Sequence, residues 1–302
     1  MSFAALRDVF VGKLGADNAV RSLLFLESPS NVKQYLIGIH KVTFPSGDSS
    51  KTERWHAYPH VKGISNVTPI RDGDLLNTTF MNKQANKLSF DISRFIEFLT
   101  GYTKVDDDIK PVMLHYSMIY LLDFFSRTWL KYPAGSGRHG ITLIQQTEKN
   151  TQDSSEQFRV RLGKQGILPR AVDAFYLVNQ SSLFSLDNDS GIFPRLARID
   201  FDVEKVKKVK YSEQPELNLA DLIALYEKLK MPDLGDSKSN PILVGYIILF
   251  IMSSISRYRS EEWFKIRENR NLKNKLDLIQ YDFLYEWAIE ILLQTALKRG
   301  LF

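Results

Sequence analysis

The stretch PVMLHYSMIYLLDFFSRTWLKYPAGSGRHG, from Pro111 to Gly140, restricts the fold more than any other part of the chain. Its first part is too long and too continuously apolar for one strand, so it reads as a buried helix. Asp106, Asp107 and Asp108 followed by Pro111 supply an acidic first turn and a proline near N1, a standard helix entry. The helix runs into a short, glycine-rich basic loop carrying Arg138 and His139. A second apolar helix is expected over Ile242 to Tyr258, and the two are natural packing partners. The uninterrupted apolar run Ile242 to Met252 is shorter than the roughly 18 residues that cross a bilayer, so it reads as core.

The rest of the chain is arranged around this pair. Phe3 to Leu14 reads as an amphipathic helix, and Leu23 to Leu26 is an apolar run. QYLIGIHKVTF, from Gln34 to Phe44, is rich in β-branched and aromatic residues and reads as a strand closed by a turn at Pro45 to Ser50. Lys51 to Asp74 reads mostly as loop. Leu88, Ile92, Phe95 and Leu99 place a helix over Ala85 to Leu99. Between Gly140 and Tyr211 the alternation predicts strands at Ile141–Ile144, Phe158–Leu162 and Ala197–Val206, and helices resume at Leu219–Lys230 and Leu276–Lys298. The expected class is α+β, mainly helical, an apolar helix pair flanking a β-rich central segment. Residues 1–110 form an N-terminal α/β region and 111–302 a helical region with a β-rich insertion at 141–211; a single domain is the other division.

The 302 residues contain no cysteine, which excludes disulfides, thiolate nucleophiles and cysteine-ligated zinc, and fits a reducing, cytoplasmic compartment. The N-terminal stretch carries Arg7 and Asp8 within its apolar part and no cleavage site, so no signal peptide is expected. No Glu-x-Lys tripeptide, G-x-S-x-G or H-E-x-x-H occurs. His56 and His60 have i, i+4 spacing, but Pro59 argues against a helix that would present both to a metal. No metal, cofactor or membrane association is expected. A net charge of +5 and a pI near 9.1 make an acidic partner plausible, nucleic acid first.

Two segments together resemble the YaaC-like family of bacterial proteins. One is HYSMIYLLDFF…YP…HG, from His115 to Gly140, continued by KQGI at Lys164 to Ile167. The other is LVGYIILFIMSSISRYRSEEW, from Leu243 to Trp263, with its Arg-Tyr followed closely by Glu-Trp. Some members of that family sit beside phage-defence genes, so the resemblance implies a defence setting and no particular chemistry.

The loop GSGRHG, Gly135 to Gly140, matches G-x-G-x-x-G, but a helix precedes it and a strand is expected after it, the reverse of a dinucleotide fold. It also has P-loop glycine spacing, yet Ile141 stands where the lysine belongs. His139 can move a proton near neutral pH, and Arg138 or Arg127 could hold a phosphate oxygen. That is the residue pair of metal-independent HEPN ribonucleases, whose R-x(4–6)-H spacing occurs here only at Arg54 to His60. His115, Asp123, Ser126 and Arg127 share a polar stripe of the helix, read either as an internal hydrogen-bond network or as a pocket wall. Arg257, Arg259, Lys265, Arg267, Arg270, Lys273 and Lys275, beside Trp263 and Phe264, form the leading candidate nucleic-acid surface, with Lys205, Lys207, Lys208 and Lys210 a second. A solvated basic face accounts for the same residues. The expected function is a binding component for nucleic acid, resting on the basic run Arg257–Lys275 and the Arg138–His139 loop, so that charge reversal at Arg267, Arg270 and Lys273 is expected to weaken binding. The alternatives are a ribonuclease using His139, and a structural subunit that docks a protein partner or a second copy of itself.

Overall fold

The computed structural model describes residues 16–43, 68–131, 139–145, 158–163, 166–171, 174, 216–230 and 241–284. The fold is α+β and mainly helical. In chain order it consists of α1 (Ala16–Leu26), α2 (Pro29–Thr43), β1 (Thr68–Pro69), α3 (Asp72–Leu76), α4 (Thr78–Tyr102), α5 (Lys110–Trp129), β2 (Leu130–Lys131), β3 (Ile141–Gln145), β4 (Phe158–Leu162), β5 (Leu217–Asn218), α6 (Leu219–Lys230), α7 (Pro241–Tyr258), α8 (Ser260–Glu268) and α9 (Arg270–Asp282). The expected elements at Phe3–Leu14 and Ala197–Val206 lie outside the described residues, as does the Arg54–His60 pair.

The expected helix pair is present: α5 packs against α7 on one side and, more extensively, against α4 on another. Pro111 falls at the first turn of α5, where its missing N–H costs nothing. In α7, Ile242, Leu243, Val244, Tyr246, Ile247, Ile248 and Leu249 are all fully buried, so the helix is enclosed on every side and not just along one stripe. No described helix is long and apolar enough to cross a membrane. The apolar core is continuous across residue 110, joining α1, α2 and α4 to α5, α6 and α7.

Helix α7 can sit this deep because it carries Gly245. A Cβ there would lie 3.3 Å from the buried rings of Phe283 and Tyr226. Tyr226 is held in place by its hydroxyl, which donates to Asp282 at 3.1 Å. Gly245→Ala should therefore lower stability in urea unfolding: overpacking costs about 1–3 kcal/mol, against about 0.5–1 kcal/mol gained in helix propensity.

The segment expected as a strand at Gln34–Phe44 is helical through Thr43, within α2. Val32, Tyr35, Leu36, Ile39 and His40 are the buried positions, and that spacing of three and four is a helix face. Burial against α4 overrides the β-branched composition. His40 completes the packing by donating through Nε2 to the carbonyl of Thr128 at 2.8 Å.

The strands form two small antiparallel sheets. β1 pairs with β2, with Thr68 opposite Lys131 and Pro69 opposite Leu130. β3 pairs with β4 from Ile141–Leu162 to Gln145–Phe158, and β4 pairs with β5. Phe158, Val160 and Leu162 face the core, while Arg159 and Arg161 point outward to Glu216 at 3.5 and 2.5 Å.

Candidate functional site

After β2 the described chain resumes at His139. Gly140 has φ 74°, a left-handed conformation that favours glycine, and its carbonyl accepts from Gly163 N at 2.7 Å. The His139 carbonyl accepts from Leu168 N at 3.2 Å. Two backbone bonds and one glycine thus fix His139 at the start of β3, over the middle of the α5–α7 pair. Gly140 leads directly into β3 at Ile141, so a strand and not a helix follows the glycine-rich segment, which departs from the strand–loop–helix order of a dinucleotide cradle. Arg138 and the lysines at 205, 207, 208 and 210 lie outside the described residues.

Beneath His139 lies His115 of α5, with ring centroids 5.3 Å apart. His115 is fully buried, stacked on Tyr246 at 5.5 Å and set edge-on to Phe250 at 5.6 Å. Neither of its ring nitrogens has a hydrogen-bond partner among the described residues, and the same holds for the Tyr246 hydroxyl, the Ser253 hydroxyl and His139 Nδ1. Three neighbouring side chains, His115, His139 and Tyr246, thus carry polar atoms without a partner among the described residues, which is unusual, since buried polar groups are nearly always bonded and an orphaned one costs about 1–3 kcal/mol.

Arg257, in the last turn of α7, completes the corner. Its Nη1 donates to the Tyr116 hydroxyl at 2.9 Å, its Nε donates to the Ser253 carbonyl at 3.2 Å, and its guanidinium lies 5.0 Å from the Tyr258 ring. Among the described residues no carboxylate pairs with it. Burial pushes the His115 imidazole well below the ordinary histidine range, with the charges of His139 and Arg257 acting in the same direction. His139 is lowered too, by burial and then by Arg257. Both rings are therefore neutral at pH 7, facing a permanent cation. The arrangement can accept a proton at His139, hold an anion at Arg257, and stack a ring against Tyr258, whose side chain is largely exposed.

The polar stripe of α5 divides in two. Only His115 belongs to this corner; Ser126 bonds the Leu122 carbonyl of its own helix at 2.6 Å. Arg127 is held inside the bundle, its Nε 3.0 Å from Asp91 of α4 and its Nη2 3.5 Å from Asp123. Arg170, in the short helical segment at 167–171, reaches Asp123 at 3.5 Å. The arginine brought to His139 is thus Arg257, whereas Arg127 serves a buried ion network.

The basic run disperses once folded. Arg267 pairs with Asp107 and Asp108, Lys275 with Glu227 at 3.0 Å, and Lys273 with Asp277 at 3.9 Å. Arg259 lies 5.9 Å from the Phe158 ring and 4.0 Å from Glu262. Trp263 is buried, its indole N–H donating to Asp108 at 2.9 Å, while Phe264 is exposed. Lys265 and Arg270 remain exposed without a carboxylate among the described residues.

Tyr116, Tyr246, Phe250 and Asp91 belong to these centres, and sequence patterning reads them as ordinary helix positions. Among the described residues no group of three or more His, Asp or Glu side chains could hold a metal ion. In comparisons with protein-family models, with curated proteins and with solved structures, nothing matches this chain.

Proposed function

We propose that the chain binds nucleic acid at the corner formed by His139, Arg257, Tyr116 and Tyr258. The observation that carries the reading is Arg257: a cation with no carboxylate partner among the described residues, beside an exposed tyrosine and a histidine, at the end of a buried helix. A phosphate oxygen would pair with the Arg257 guanidinium, and a base would stack on Tyr258. Arg267 and Lys275 have their acidic partners within the fold and contribute little. Kinship with the YaaC-like family, and with it a phage-defence setting, belongs to the same proposal; the HG loop and the Arg-Tyr…Glu-Trp element are its support.

Labelled single-stranded RNA and double-stranded DNA, titrated at two salt concentrations, test the reading. Arg257→Ala should weaken binding and reduce the salt slope by about 1. Arg267→Ala should leave both close to the parent values. The opposite ranking of the two variants would overturn the assignment.

A second reading is favoured by one specific feature, the tilted packing of a half-buried neutral histidine against a buried neutral one. A neutral His139 is poised as a general base toward a ribose hydroxyl, with Arg257 stabilising the developing charge, as in a metal-independent ribonuclease. Cleavage in the presence of a chelator, lost in His139→Ala with an unchanged circular dichroism spectrum, would select this reading over simple binding.

A further inference from the structure

On the opposite side of α7, where α8 and α9 meet the end of α4, lies a cavity of about 290 Å³. That is near the lower end of the range for small-ligand sites, about 300–1,000 Å³. Tyr102, Trp263 and Tyr281 supply aromatic walls, and Leu276 is part of its apolar floor.

The polar groups around it fall into two unequal sets. On one side Asp107 is closed off, bonded to Lys110 at 2.7 Å and to Arg267 at 3.5 Å. On the other side Asp277 is loosely held, with Lys273 at 3.9 Å and the Gln280 amide nitrogen at 3.5 Å, both beyond good hydrogen-bond length. Gln280 is only 7% exposed, and this long contact is the sole bond of its side chain among the described residues. A carboxylate and an amide, one turn apart on α9, therefore offer an acceptor edge and an adjacent donor to the cavity, both nearly unused.

We infer that this cavity is a binding site for a flat, uncharged heteroaromatic ligand that presents adjacent N–H donors and a carbonyl oxygen, the guanine base. The ring lies among Tyr102, Trp263 and Tyr281. Its N–H donors face the Asp277 carboxylate, and its carbonyl accepts from the Gln280 amide. Adenine fits badly, because the ring nitrogen beside its amino group is an acceptor and would meet the carboxylate lone pairs. A cationic ligand is disfavoured by Lys110, which lies 5.8 Å from the Tyr102 ring, and by Arg267 and Lys273 in the same wall.

The site does not rest on the anion corner, since a nucleoside carries no phosphate. Guanosine and adenosine titrated calorimetrically into the full chain test it directly. Guanosine should bind at least about tenfold more tightly than adenosine, and Asp277→Asn should cost about tenfold in guanosine affinity. Asp277 is more than half exposed, so this variant keeps the fold, which its melting temperature would verify. Arg257→Ala should bind guanosine as the parent does while losing oligonucleotide, which separates failure of one site from failure of the other. Absence of guanosine binding at millimolar concentration, equal binding of adenosine, or an unaffected Asp277→Asn variant would each overturn the inference.

Discussion

Arg127→Met should destabilise the protein by about 3–5 kcal/mol, the effect of removing one partner from a buried ion pair. The substitution keeps length and apolar stem but leaves Asp91, with 7% side-chain exposure, without its guanidinium, and leaves Asp123 to Arg170 alone. Urea unfolding measures the loss. Desolvation already pushes the Asp91 carboxyl up to about 7, with Arg127 opposing the rise. The sign follows from linkage: the folded state binds the Asp91 proton more tightly than the unfolded chain, whose carboxylate titrates near 4. Asp91 therefore contributes stability that is complete below about pH 4 and is lost as pH rises toward 7. His115 and His139, with lowered values, act oppositely and favour folding as pH rises through the ordinary histidine range. The difference in stability between the parent and Asp91→Asn, followed across pH, isolates the carboxylate. Its contribution should fall from pH 4 to 7, and in an Arg127→Met background the fall should extend to higher pH.

The second large effect is expected at His115, and its signature is a separation of stability from function. His115→Leu removes a buried imidazole with no partner for either nitrogen among the described residues, so stability should stay level or rise by about 1–3 kcal/mol. Oligonucleotide binding should nevertheless weaken by about tenfold, because His139 loses the ring on which it rests. A residue kept only for packing would give the reverse, lower stability and intact binding. Tyr246→Phe is the companion variant: it deletes another unsatisfied hydroxyl and should also leave stability level or raised.

The helix pair α5–α7 was legible because apolar runs of that length have few alternatives, and β3 and β4 because alternation and flanking glycines agree. The Gln34–Phe44 segment shows the limit. Its β-branched composition suggests a strand, whereas the buried set Val32, Tyr35, Leu36, Ile39 and His40 follows the helix period. Val32, the first residue of that period, precedes the β-branched stretch and carries no strand or helix signal of its own. The HG loop and Arg257 stood out in the sequence, yet nothing there indicated that they meet, since α7 is remote from β3 along the chain. Likewise, the basic run looks continuous only until Asp107, Asp108 and Glu227 arrive from other helices to neutralise it. The Asp91–Arg127 pair was invisible for the same reason: each residue sits at an unremarkable position in its own helix, and only the packing of α4 on α5 joins them.

The central claim is that the His139–Arg257 corner receives a phosphate. With five histidines in the chain, their imidazole resonances can be assigned by single substitution and followed by NMR as an RNA oligonucleotide is added. The account predicts that the His139 signals shift on binding and that its midpoint moves upward, since a bound anion favours the protonated ring. Arg257→Ala should abolish both changes. Binding that leaves the His139 resonances and midpoint untouched would contradict the account and return the interaction to the exposed cations of α8 and α9.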